Sequence, residues 1–115
     1  MKFEPVEPMA RVSAIEAIQT GGPTDRADAL VALAYHDPDL EFVQDLCLQL
    51  LADDGDPSVQ STAALCLGHL ARIHGRLDTT RAIPAIAAFA FGNPSLAGRA
   101  HDALDDIRMF TGDHR

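Results

Sequence analysis

Five histidines, two cysteines and two knots of carboxylates are the residues of this 115-residue chain that could do chemistry. A hydrolytic or metal site needs such groups to converge at fixed spacing. His69 and His74 are five positions apart on one expected helix, about 500° of rotation, so they do not share a face. The sequence has no HExxH pattern and no Cys/His cluster with metal-ligand spacing. His36 precedes Asp37-Pro38 at an expected helix end, where it should meet a last-turn carbonyl. His101 and His114 stand singly. Asp53, Asp54 and Asp56 crowd one loop, and Asp102, Asp105 and Asp106 share one helix. Paired carboxylates can cleave a glycosidic bond or hold a hard cation. The same residues also suit a capped helix start and a solvated helix face, which is the role expected of them. Cys47 and Cys66 each sit between leucines and are expected to be small buried hydrophobes. Gly21-Gly22-Pro23 reads as a turn, and no GxSxG occurs. No catalytic residue, metal ligand or cofactor is expected.

The elements that position these groups are all expected to be helices, because the apolar residues recur at three- and four-residue spacing and Ala and Leu dominate. The first helix spans about 8–19 with Val12, Ile15 and Ile18 inward, and the second about 24–36 with Ala27, Leu30, Val31 and Ala34 inward. Asp37 as cap and Pro38 as first residue open the third, about 38–52, with Leu40, Val43, Cys47 and Leu50 on one face. Asp56-Pro57 repeats that device for the fourth, about 57–74, whose inward stripe is Val59, Ala63, Cys66, Leu67 and Leu70 and whose end is Gly75. The fifth spans about 80–91, with Ile83, Ile86 and Phe89 or Ala90 inward and Pro84 early in it. Asn93-Pro94 opens the sixth, about 94–110, with Leu96, Ala100, Ala103, Leu104 and Ile107 inward and Gly112 at its end.

A shift of 37 residues lays the fourth helix over the sixth. Asp56-Pro57-Ser58-Val59 falls on Asn93-Pro94-Ser95-Leu96, Ala63 on Ala100, Leu67 on Leu104 and Leu70 on Ile107. A repeat of that length spanning two helices implies stacked helix pairs. On the run Asp56-Pro57-x-Val59-x-x-x-Ala63-Ala64-x-x-Leu67-Gly68-x-Leu70, the chain resembles the HEAT-repeat and HEAT-like family. Pro84 resembles the proline that bends the first helix of many such units, whereas Gln60 stands where a basic residue is usual. The resemblance implies a single domain over 1–115: a short right-handed α-solenoid of three helix pairs, at about 8–36, 38–74 and 80–110.

Charge then bears on function. The chain carries 17 acids against 9 bases, a net charge of −8. Residues 27–71 hold eight acids and no Lys or Arg, so the whole excess lies in one stretch. A nucleic-acid binder needs a basic face, and an aromatic stacking platform is missing, with no Trp and one Tyr. No run of about 18 apolar residues is present to span a membrane, and the N-terminal Met-Lys-Phe-Glu-Pro-Val-Glu-Pro lacks the apolar core of a secretory leader. A cytoplasmic protein is expected.

What remains is protein binding, on the surface that stacked helix pairs create. The expected lining comes from Asp25, Asp28 and Ala32 of the second helix. The fourth adds Gln60, Ser61, Ala64, Gly68 and His69, with Arg72 and Arg76 beyond, and the sixth Arg99, Asp102, Asp105 and Asp106. Small central residues would leave room for a partner, and Asp53, Asp54 and Asp56 would attract a basic one. Small HEAT-like proteins resemble toxin-immunity proteins, which implies an acidic inhibitor covering a basic toxin domain such as a nuclease. They equally resemble scaffolds or adaptors, and a subunit of a HEAT-like lyase is a third class that the residues leave open.

Overall fold

The computed structural model describes residues 6–112. Residues 1–5 and 113–115 lie outside the described residues, and with them His114 and most of the segment in which a leader was sought. The described chain is all-α, a short solenoid-like bundle of six helices: α1 (Arg11–Thr20), α2 (Pro23–His36), α3 (Leu40–Asp53), α4 (Pro57–His74), α5 (Thr79–Gly92) and α6 (Ala97–Thr111). No helix among the described residues is long and apolar enough to cross a membrane.

α1 packs on α2, α3 on α4, and α5 on α6, while α4 also packs directly against α2 and α6. α2, α4 and α6 therefore form one layer with α4 in its middle. They run in the same direction, because one surface groove is lined by the starts of all three: Pro23 and Thr24, Ser58 and Ser61, and Leu96 and Arg99. α1, α3 and α5 make the other layer. The core lies between the layers and includes Ile18, Leu30, Leu33, Val43, Leu67, Leu70, Ile86 and Ile107.

The expected inward stripes are mostly inward. Val12 is the exception, 78% exposed, because α1 turns Ala14 and Ile18 to the core instead. α4 has the expected bounds. The Asp56 carboxylate accepts from the Ser58 N–H at 2.9 Å, Pro57 takes the first helical position, and Gly75 closes the helix at φ 69, a left-handed conformation that glycine adopts without steric cost. Two expected caps are displaced. Asp39, not Asp37, caps α3 by accepting from the Phe42 N–H, and α3 begins at Leu40. The Asp37 carboxylate instead accepts from the Asp39 N–H and from Arg11, so an Asx turn precedes the helix. Asn93 does not cap α6 either. Its side chain donates to the Phe89 carbonyl, and Pro94–Leu96 form a single 3-10 turn before α6 starts at Ala97.

Candidate partner-binding face

Small residues expected to line an open face are in fact buried. Ala32, Ser61 and Ala64 are at most 3% exposed, and Gly68 is buried as well. The reason is the central place of α4. A Cβ on Gly68 would lie 3.2 Å from the Ala103 Cα, so the missing side chain lets α6 come in close. Smallness here serves helix contact and leaves no space for a partner.

The acidic loop between α3 and α4 is likewise committed to the fold. Arg26 of α2 reaches across to the Asp54 carboxylate, and its Nε donates to the Ile18 carbonyl at 2.7 Å. Asp54 also accepts from the Asp56 N–H at 2.8 Å, and Asp56 caps α4. Arg26 holds the Asp54 carboxyl below its usual range despite partial burial, and the Ser58 hydroxyl and N–H do the same for Asp56. Gln60 donates to the Leu51 carbonyl at 2.9 Å and so closes the end of α3. Of this group only Asp53 is exposed without a partner among the described residues. Reversing all three aspartates would therefore disturb the fold and not only a surface.

The same holds for much of the acid-only stretch. Arg11 forms a two-bond fork with Asp37, 2.8 Å each, and lies 3.6 Å from Asp39. It also stacks 4.1 Å above the Phe42 ring. Arg81 bonds Asp45 at 2.8 Å and Asp78 at 2.7 Å. Three arginines from outside the stretch thus fold back onto four of its eight acids.

Groups without such compensation gather on the outer surface of the α2–α4–α6 layer. Asp28 of α2, His69 and Arg72 of α4, and Arg99, Asp102, Asp105 and Asp106 of α6 are exposed or half-buried there, whereas Arg76, past the end of α4, lies instead in a groove with Glu41 and Gln44 of α3 and Arg81 of α5. Arg72, Arg76 and Arg99 form no ion pair with any carboxylate among the described residues, unlike Arg11, Arg26 and Arg81. Asp28 also belongs to a groove against α1 that it lines with Glu16 and Asp25, with no basic residue among them. The layer is therefore acidic along its α1 edge and mixed in charge at its centre.

Tyr35, passed over in the sequence, completes that centre. The Arg72 Nη2 donates to the Tyr35 hydroxyl at 3.1 Å and to the His69 Nδ1 at 2.9 Å. The Tyr35 and His69 rings lie 5.0 Å apart. Burial first, and then the Arg72 charge, hold the His69 imidazole below its ordinary pKa, with Asp106 of α6 opposing. Ile73, 43% exposed, adjoins Arg72, and Met109 and Phe110 leave apolar surface at the end of α6. Tyr, Arg and apolar side chains are the composition that protein interfaces favour.

The remaining groups that could do chemistry are dispersed. The His36 Nε2 donates to the Val6 carbonyl at 2.6 Å, tying down the N-terminal segment and not a last-turn carbonyl. His101 is exposed, and His74 is half-buried near the end of α4. Cys47 and Cys66 are free and fully buried, one on each of two packed helices. The thiol of Cys47 is pushed well up by its hydrogen bond with Cys66 and by burial. No three described His, Cys, Asp or Glu side chains gather as a metal site.

These features define an all-α protein in which Arg72 and Arg99, on the outer side of three parallel helices, hold no carboxylate among the described residues. The chain matches a solved structure described as "Crystal structure of CDI complex from Cupriavidus taiwanensis LMG 19424", at 30% identity, with a TM-score of 0.81 and 96% of each chain covered. It belongs to the same family as that chain of the CDI complex. No protein-family model and no curated protein sequence matches it.

Proposed function

We propose that this protein is an immunity protein that binds and neutralises a toxin domain in a contact-dependent inhibition system. The observation that carries this reading is the end-to-end match, 96% of both chains, to a chain of a CDI complex. Binding occurs through the outer face of α2, α4 and α6, where Asp28, His69, Arg72, Arg99, Asp102, Asp105 and Asp106 lie. Asp53 lies off this face, in a groove between α1 and α3, while Asp54, Asp56 and Gln60 are held within the fold. The toxin domain is basic overall and of the nuclease type. The net charge of −8 supports this, because a charged excess steers an oppositely charged partner over distances greater than any single contact. Three HEAT-like helix pairs, α1–α2, α3–α4 and α5–α6, are the architecture we assign, supported by the packing of each helix on its pair-mate.

Co-expression tests the function. The C-terminal domain encoded directly upstream of this gene should arrest growth when expressed alone and be tolerated when this chain is made with it. The two should co-purify as a stoichiometric complex. An upstream domain that binds no copy of this chain, or no toxic domain at all, would overturn the immunity reading in favour of a scaffold or adaptor.

A further inference from the structure

The paired arginines show what this chain does with a guanidinium when an acid is within reach. Arg11, Arg26 and Arg81 each hold a carboxylate. Arg72 is exposed at the centre of the α2–α4–α6 face and holds none among the described residues; its acceptors are a phenol oxygen and an imidazole nitrogen. Both bonds are made by Nη2, so Nη1 and Nε have no bonded acceptor among the described residues. A guanidinium presents its donors as a planar fork matched to the two oxygens of a carboxylate. Tyr35 and His69 fix the plane of that fork before any partner arrives, which lowers the ordering cost of using it. Arg76, just past the end of α4, does not share this face: it lines a groove with Glu41 and Gln44 of α3 and Arg81 of α5.

Resting on the immunity reading above, we infer that Arg72, held by Tyr35 and His69, is the seat of a carboxylate side chain of the toxin domain. The acidic excess steers a basic domain into encounter, and a local acid on that domain sets the register at Arg72. Tyr35 acts as a positioning residue: it touches the guanidinium and leaves the charge in place.

The test measures the dissociation constant between the full-length chain and the purified C-terminal domain encoded directly upstream, by calorimetry at several salt concentrations. Arg72→Gln should weaken binding about 30-fold or more, because truncating one member of a desolvated charge pair leaves the other unpaired. Arg72→Lys should fall between Gln and wild type, since a point charge cannot make the fork. Tyr35→Phe should cost a few-fold in affinity while keeping the salt dependence of wild type, which Arg72→Gln should change. All three variants should keep the wild-type thermal midpoint. Wild-type binding combined with Arg72→Gln binding within about twofold of it would overturn the inference and leave the immunity reading standing, since a desolvated pair costs far more. Absence of wild-type binding would overturn the immunity reading first and this inference with it.

Discussion

The Arg26–Asp54 corner and the Arg72–Tyr35–His69 patch use the same side chain for opposite ends. At the corner, the Arg26 and Asp54 side chains are only 20% and 12% exposed, and the ion pair joins α2 to the loop before α4. At the patch, the guanidinium is exposed, has neutral acceptors and bridges α2 to α4 without an acid. The first arrangement is complete within the chain, whereas the second leaves two guanidinium nitrogens without an acceptor among the described residues. The contrast shows that a run of acids in a sequence is not an acidic face. The arginines that neutralise the run lie at positions 11, 26 and 81, outside it in sequence and against it in space.

The difference can be broken experimentally, and the corner should give the largest effect. Asp54→Lys removes the partner of Arg26 and sets a second cation beside it, so denaturant unfolding should show a loss of about 3 kcal/mol. A loss near zero would mean that the corner is as dispensable as the patch. Acid should act next. Arg11 lowers the Asp37 pKa, Arg26 that of Asp54 and Arg81 that of Asp78. A carboxylate lowered in the folded state contributes stability above its unfolded pKa of about 3.9, and that contribution is lost as pH falls through the lowered folded value. The thermal midpoint should therefore be level from neutral pH to about 5 and drop below about 4. At the patch the readout is local. The His69 imidazole, followed by NMR, should titrate below its ordinary range, and Arg72→Gln should raise its midpoint by removing a neighbouring charge. Asp106→Asn should lower it further. Asp53→Lys should have the smallest effect on the fold, within about 0.5 kcal/mol of wild type by denaturant unfolding, because Asp53 is exposed and holds nothing.

Much of the fold was legible because its punctuation is local. Asp56-Pro57 and Gly75 bracket α4 with residues whose backbone preferences decide the matter within four positions. Asp37 and Asn93 misled because a cap-like residue before proline also suits a turn, and only the tertiary partners, Arg11 and the Phe89 carbonyl, select between them. The face was harder to read. A helical wheel assumes one buried stripe, whereas α4 packs against α2, α3 and α6 and buries Ser61, Ala64 and Gly68 on the side that looked open. Tyr35 was missed because a lone tyrosine carries no motif. A signal was nevertheless present. Tyr35 and Arg72 are 37 residues apart, as are His69 and Asp106, and 37 is also the shift that lays the fourth helix over the sixth. Neighbours across the layer are thus same-register positions of successive helices, and polar residues at that interval could have been paired directly from the sequence.

Cys47 and Cys66 have one more consequence. Each is fully buried, and together they sit where α3 meets α4, at the middle of the stack. Only a thiolate reacts with a disulfide reagent, and neither sulfur meets solvent until the helices part. The labelling rate of these thiols is therefore set by how often the centre of the molecule opens. The chain carries its own clock for that event, and a bound partner that clamps α2, α4 and α6 together should slow it without touching either cysteine.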